Sequence, residues 1–346
     1  MLSTTVFVGV IAGLLLVFVV MWALLLRRGL SLVKVAGVTM RQVIATTAIV
    51  VVLEMGVNGL VALITMVAFA VSPPDAAIRV LGLINWAAAV ILACVIISAA
   101  FKIGYMKAFL AWLPTLFATF TIIALIVLVV RPYFFESFYL PTNPMAPTLV
   151  GTHWEGTCPE CGEASYCPPT NARRASSDPP LMICDNFHVT KAESLDTRVH
   201  SSDHFMVSKF LEPRRWDMVV FQYPQEPSML YAMRLVGLPS ETIHIEGGYV
   251  WVNGERLTPP DSLRGIAYVS EIPGRFGPEL WGSPERPASL GEDEYFVLGD
   301  FSARSIDSRF WQQGVAGHNP FAVPESHLIG VVTHTFWPPS RWRIHR

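Results

Sequence analysis

The chain has 346 residues, 52% hydrophobic and only 15% charged, with a formal net charge of −2. That composition excludes a disordered or fibrous protein and is too apolar for an ordinary soluble enzyme. The charge is also uneven: residues 1–130 hold nine charged side chains and the other 216 residues hold 43. A membrane domain over 1–131 is expected ahead of a water-soluble domain over 132–346.

A bilayer core takes roughly 20 apolar residues per helix. Four stretches qualify: 5–26, 42–72, 80–101 and 108–130. The N-terminus has no basic residue and its apolar run is long, so it fits a retained helix better than a cleaved leader. The first loop carries Arg27, Arg28, Lys34 and Arg41, the second only Arg79, and the third Lys102 and Lys107. Basic loops stay on the cytoplasmic side. The N-terminus and everything after Arg131 are then expected outside. Glu54 and Asn58 fall within the second span, where an ionisable side chain is a functional candidate. The plainer alternative is a protonated carboxyl hydrogen-bonded between helices, with Asn58 as a partner. Cys94, in the third span, fits an apolar filler.

The second half carries 18 basic and 25 acidic side chains, a net of −7 with no basic cluster. This argues against a nucleic-acid partner. Short β-rich runs recur at 205–210, 218–222, 232–236, 242–245, 249–252, 295–298 and 328–336, each bounded by turn residues. Glu246-Gly247-Gly248 predicts a hairpin turn. The fold class expected is a multi-span α-helical membrane domain followed by a mainly-β domain. Two stretches, 151–202 and 256–292, are expected as long non-strand insertions, rich in Cys, Pro and Ser or in Pro and Gly.

Four motifs stand in order after the last span. They are Phe138-Tyr139-Leu140-Pro141-Thr142-Asn143-Pro144-Met145-Ala146-Pro147-Thr148-Leu149, then Arg215-Trp216-Asp217-Met218-Val219-Val220-Phe221. Tyr231-Ala232-Met233-Arg234-Leu235-Val236-Gly237-Leu238-Pro239-Ser240 follows. The last is Gly299-Asp300-Phe301-Ser302-Ala303-Arg304-Ser305-Ile306-Asp307-Ser308-Arg309. The set resembles the type I signal peptidases, membrane-bound serine proteases that cut signal peptides from exported proteins. The similarity covers roughly 132–150 and 203–346. It implies a largely β domain on the outer face of the cell (inner) membrane, a serine nucleophile activated by a lysine base, and no cofactor for the chemistry.

That chemistry has strict needs. A serine hydroxyl is a weak nucleophile until a base takes its proton, and a lysine serves only when neutral. Laid on the family pattern Pro-Ser-x-Ser-Met-x-Pro-Thr-Leu, the nucleophile position is Pro144. Proline has neither a hydroxyl nor the backbone N–H expected of an oxyanion hole. The base position is Met233, which cannot accept a proton. Other positions are retained. Thr142 matches the side chain that assists the oxyanion, and Ser305 the serine that contacts the base. Asp307 and Arg309 match a supporting ion pair. Asp300 keeps the Gly-Asp turn, while Phe301 stands where asparagine is usual. A rescuing pair would have to come from Lys191, Lys209, Ser228, Ser240, His204 or His244. Lys209 is expected as a solvated charge.

Cys158-Pro159-Glu160-Cys161-Gly162 has the tight turn of a zinc knuckle. It resembles the Cys-rich insert of planctomycete-like family members, but the second pair is broken at Cys184-Asp185-Asn186-Phe187. Cys158, Cys161, Cys167 and Cys184 are the candidate metal ligands, with His188 as the other choice for the fourth. Disulfides are the competing possibility, because the outer compartment is oxidising. The function expected is that of a signal peptidase homologue without catalysis, acting by binding signal peptides or an active paralogue. The alternatives are a peptidase with a displaced dyad and a structural membrane protein with a vestigial β domain.

Overall fold

The computed structural model describes residues 2–68, 75–169, 180–192, 195–270 and 280–346. The end of the expected second span (69–72) and parts of both insertions (170–179, 193–194 and 271–279) lie outside the described residues. The chain divides into two compact units, Leu2–Pro132 and Tyr133–Arg346.

The first unit is helical: α1 (Leu2–Leu32), α2 (Met40–Ala68), α3 (Asp75–Phe101), α4 (Tyr105–Trp112) and α5 (Leu116–Leu125). Among the described residues four segments are long and apolar enough to cross a membrane: Val8–Leu32, Met40–Val61, Val80–Phe101 and Tyr105–Tyr133. The fourth includes the expected stretch 108–130 and changes helical type along its length. Pro114 lacks an N–H for the helical ladder, and the chain tightens into a 3-10 turn over Leu113–Thr115. A π-helical turn, Ile126–Val130, follows α5. Large apolar side chains such as Leu16, Val52, Leu83 and Phe120 stand exposed, as a lipid-facing surface requires. Trp22, Leu26, Leu30, Val43, Ala93, Cys94 and Ile97 form the buried seam. A Cβ on Gly29 would lie 1.9 Å from the Ala111 carbonyl oxygen, so this glycine lets α1 and α4 touch. Asn58 Oδ1 accepts a hydrogen bond from Asn85 Nδ2 on α3.

The second unit is mainly β. After β1 (Phe135–Tyr139) come β2 (His153–Thr157), β3 (Ala164–Cys167), β4 (Leu181–Cys184), β5 (Val189–Lys191) and β6 (Leu195–His200). Then follow β7 (His204–Ser208), β8 (Met218–Tyr223), β9 (Glu226–Gly237), β10 (Thr242–Glu246), β11 (Tyr249–Val252) and β12 (Glu255–Arg256). The chain ends with β13 (Ala288–Ser289), β14 (Glu294–Leu298), β15 (Val323–Pro324), β16 (Leu328–Trp337) and β17 (Arg343–Ile344). An eight-stranded antiparallel sheet runs β1-β7-β16-β8-β9-β14-β15, with β17 on β16. A four-stranded sheet runs β12-β11-β10-β13.

The central strand β8 is buried at four successive residues, Met218–Phe221, because β16 and β9 flank it and both faces are covered. Glu246 pairs with Tyr249 across Gly247 and Gly248, whose φ angles of 59° and 85° suit a two-residue hairpin turn. β9 starts earlier than its sequence run, because Glu226–Leu230 are exposed and carry no alternation.

The stretch 151–202 is not strand-free as expected. It holds a five-stranded sheet, β5-β4-β3-β2-β6. Its strands have three to six residues and carry polar and cysteine side chains at mixed positions. Cross-strand pairing stabilises them, and their own sequence alternation is weak.

A buried ion pair braces the loop after β14. Arg309 donates to Asp307 from Nε (2.8 Å) and NH2 (2.7 Å), both side chains fully buried. Arg309 also reaches the Val269 carbonyl, Ser302 Oγ and the Ser302 carbonyl. Asp307 in turn accepts from the Gly299 N–H. Removing one partner leaves an uncompensated buried charge, at about 3–5 kcal/mol. Arg309→Ala is expected to lower unfolding stability by that order. Asp307→Leu combined with Arg309→Met is expected to cost less than either partner's removal. Denaturant titration followed by tryptophan fluorescence measures both.

Candidate functional site

Residues 141–149 leave β1 as a chain of turns pinned by Asn143. Its Nδ2 donates to the Thr152 carbonyl (2.6 Å), and its Oδ1 accepts from the Gly151 N–H (2.7 Å). Thr142 is exposed and Pro144 half-buried. The Pro144 carbonyl accepts from the Phe301 N–H at 3.0 Å. A Cβ on Gly299 would meet Ser305 Oγ at 2.1 Å and the Pro144 oxygen at 2.6 Å. Pro144, Gly299 and Ser305 therefore converge at one point, and a side chain larger than hydrogen at 299 would push them apart.

Met233 lies on β9 opposite Val219 and is 2% exposed, within the main core beside Met145, Val207 and Trp311. Its neighbour Arg234 is also buried and carries the site's other fixed charge. Arg234 Nε donates to Asp300 Oδ1 (3.0 Å), NH2 to Asp300 Oδ2, and NH1 to the Trp216 carbonyl (2.7 Å). Thr148 Oγ1 donates to Asp300 Oδ2 at 2.6 Å. One carboxylate thus holds β9, the Gly-Asp turn and the 141–149 loop together. Tyr268 is fully buried nearby, and burial together with the Asp300 carboxylate pushes its hydroxyl pKa well above the usual range.

Ser305 Oγ is buried and has no hydrogen-bond partner among the described residues. Phe301 is fully buried against Ala146, Val150, Tyr166 and Ile183. Its ring therefore seals the insertion sheet onto the 141–149 loop, a role that asparagine could not fill. Arg341 adds a polar tie. It donates to both oxygens of Asp203, to the Pro147 carbonyl (2.9 Å) and to Tyr166 Oη (2.6 Å).

The residues considered for a displaced dyad have other partners. Lys209 is not a solvated charge: Nζ lies 2.8 Å from Glu136 Oε2, both side chains 17% exposed. Ser228 Oγ donates to Glu226 Oε1 (3.2 Å), and Ser240 is an exposed turn residue with φ 64°. His204 stacks on Tyr139, and His244 stacks on Trp251. Lys191 is exposed on β5 of the insertion. One backbone edge is open. β9 pairs with β8 from Glu226 to Arg234, whereas β14 covers only Arg234, Leu235 and Gly237 on the other side. Among the described residues nothing pairs with that second edge ahead of Arg234. Met229, Leu230 and Ile306 are exposed at 42%, 43% and 55%.

In the insertion, ligand atoms of Cys158, Cys161, Cys184 and His188 lie within 4.8 Å of one another. Cys161 and Cys184 sulfurs are 3.7 Å apart, and Cys158 Sγ is 3.8 Å from His188 Nδ1. A disulfide needs about 2.05 Å. A tetrahedron with ~2.3 Å metal–sulfur bonds has edges of about 3.8 Å. The side chain that converges with the three cysteines is His188 and not Cys167. Cys167 ends β3, roughly 10 Å of strand beyond Ala164, where β3 meets the knuckle. Its thiol turns instead to the Pro168 carbonyl and packs with Met182 and Ala192. The Glu163 N–H facing Cys161 Sγ draws that thiol down to about 6. Gly162 at φ 77° and Phe187 at φ 65° close the two turns that present the ligands.

A family model described as signal peptidase, peptidase S26, matches residues 181–337. Signal peptidase I of Leptolyngbya laminosa is 32% identical over 167 residues, covering 43% of this chain and 68% of that protein. Signal peptidase I of Pseudomonas aeruginosa is 26% identical over 234 residues, covering 62% and 70% respectively. Signal peptidase I P of Bacillus subtilis subsp. natto is 29% identical over 164 residues, covering 45% and 79%. With its motifs in the family order on a mainly-β unit that follows four apolar helices, this chain belongs to the signal peptidase I family.

Proposed function

We propose that this chain is a non-catalytic member of the family that holds signal peptides at the outer face of the cell membrane. The observation that carries the proposal is the pair Pro144 and Met233, at the nucleophile and base positions of the resemblance. A serine–lysine mechanism needs a hydroxyl at the first and a proton acceptor at the second. Pro144 supplies neither the hydroxyl nor an N–H for the oxyanion. Met233 is packed as a core residue, and Ser305 Oγ is left unpartnered. An orphaned hydroxyl is what the loss of a lysine partner leaves behind.

The peptide-holding role draws on the open edge of β9. An extended peptide adds to such an edge through main-chain hydrogen bonds, with pockets selecting its side chains. Exposed Met229, Leu230 and Ile306 offer apolar contact beside that edge. The loop charges favour both the N-terminus and the β unit on the extracytoplasmic side, where exported peptides emerge. The insertion supplies a structural zinc site. Cys158, Cys161, Cys184 and His188 match a closed Cys3His set in ligand type and spacing. When bound, the ion would hold two turns of a small sheet together, with no part in peptide chemistry.

Fluorescence anisotropy of a labelled signal peptide with the detergent-solubilised full chain tests the binding role. Saturable binding is expected, weakened about tenfold or more by Leu230→Arg. No binding to the wild type would leave the domain as a spacer. A second prediction concerns the orphaned hydroxyl. An unpaired buried hydroxyl costs about 1–3 kcal/mol. Ser305→Ala is expected to leave stability unchanged or to raise it by up to about 1 kcal/mol, measured by denaturant titration. A loss of 1 kcal/mol or more would mean that the hydroxyl has a partner.

A further inference from the structure

The insertion holds a second convergence of ligating side chains, made of residues other than the cysteines and His188. His153 opens β2 and His200 closes β6, and the two are cross-strand partners. Their rings stack with centroids 5.4 Å apart. Glu155, two residues along β2, brings its carboxylate to both rings, and the three ligand atoms lie within 4.8 Å of one another.

The hydrogen bonding fixes which ring atom is available. His153 Nδ1 lies 2.7 Å from the Gly151 carbonyl, so the ring is the donor there. That bond sets the tautomer and leaves the Nε2 lone pair bare. Nε2 faces Glu155 Oε1 at 3.4 Å, and His200 Nδ1 faces the same oxygen at 3.5 Å. Both separations are longer than the usual N–H···O range of about 2.7–3.2 Å. They match the edge, about 3.3 Å, of a tetrahedron built on ~2.0–2.1 Å bonds. A lone pair facing a carboxylate oxygen at that range calls for a cation between them. A proton would serve only by burying an imidazolium, since His153 is 3% exposed.

We propose that His153, Glu155 and His200 bind a divalent transition-metal cation, zinc foremost, at the neck of the insertion. Two imidazoles and one carboxylate suit zinc and its first-row neighbours better than calcium or magnesium. Glu155 is 47% exposed, so the fourth position opens to water. β2 and β6 are the first and last strands of the insertion, and a metal bridging them closes a long loop at its base. Tyr166 packs edge-on against His153 and hydrogen-bonds to Arg341, which reaches the Pro147 carbonyl. The clamp therefore also braces the 141–149 loop.

The full-length protein in detergent, stripped of metal and titrated with Co²⁺, tests the site. The wild type is expected to bind two equivalents and His200→Gln one. The Cys161→Ser/Cys184→Ser variant is expected to keep one equivalent, without thiolate-to-cobalt charge-transfer absorption. A stoichiometry unchanged by His200→Gln overturns the proposal. Should that variant fail to fold, Glu155→Gln at the exposed ligand takes its place, with the same expected loss and the same overturning result. The cysteine site fails separately. One wild-type equivalent that His200→Gln removes and the cysteine variant keeps would leave only the histidine site.

Discussion

The buried pair between Arg234 and Asp300 is the constraint around which the β unit is arranged. Both side chains are withdrawn from water, at 6% and 0% exposure, and neither is tolerable there alone. Their remaining hydrogen-bonding capacity is met by the Trp216 carbonyl and Thr148 Oγ1. Satisfying one pair of charges therefore fixes β9, the turn after β14, the approach to β8 and the 141–149 loop. The Asp307–Arg309 pair repeats the arrangement one turn further on, with every donor directed at a named acceptor. Networks of this kind stabilise only when complete, so they resist piecemeal change.

Among the described residues Pro144 and Met233 make no hydrogen bond to either ion pair, so apolar residues at these two positions leave the fold's polar framework intact. Met233 fits because its place on β9 is already surrounded by Val219 and the main core. Phe301 fits because the insertion sheet brings Tyr166 and Ile183 over it. Ser305 is buried beside them with no hydrogen-bond partner for its hydroxyl among the described residues.

The four apolar spans, the seven β-rich runs and the Gly-Gly hairpin were legible in the sequence, because each follows from local periodicity or turn chemistry. The insertion sheet was not. Met182-Ile183-Cys184 is buried, with Ile183 and Cys184 paired to β3 and Ile183 clustered with Phe301, neither of which local pattern encodes. Choosing His188 over Cys167 required the register of β3. The grouping of His153 with His200 required the pairing of two strands 47 positions apart. Lys209 looked solvated until β1 and β7 brought it to Glu136. The 3-10 turn at Pro114 in the fourth span was readable in principle, since proline removes a donor from the helical ladder.

In the proposed role this β unit holds peptides without cutting them. Incubation of the purified full-length protein with a model preprotein, followed by mass spectrometry, tests it most directly. The intact preprotein alone is expected, over times in which an active signal peptidase I processes it completely. Cleavage at a defined signal-peptide junction, abolished by alanine at a single hydroxyl residue of the chain, would contradict the account.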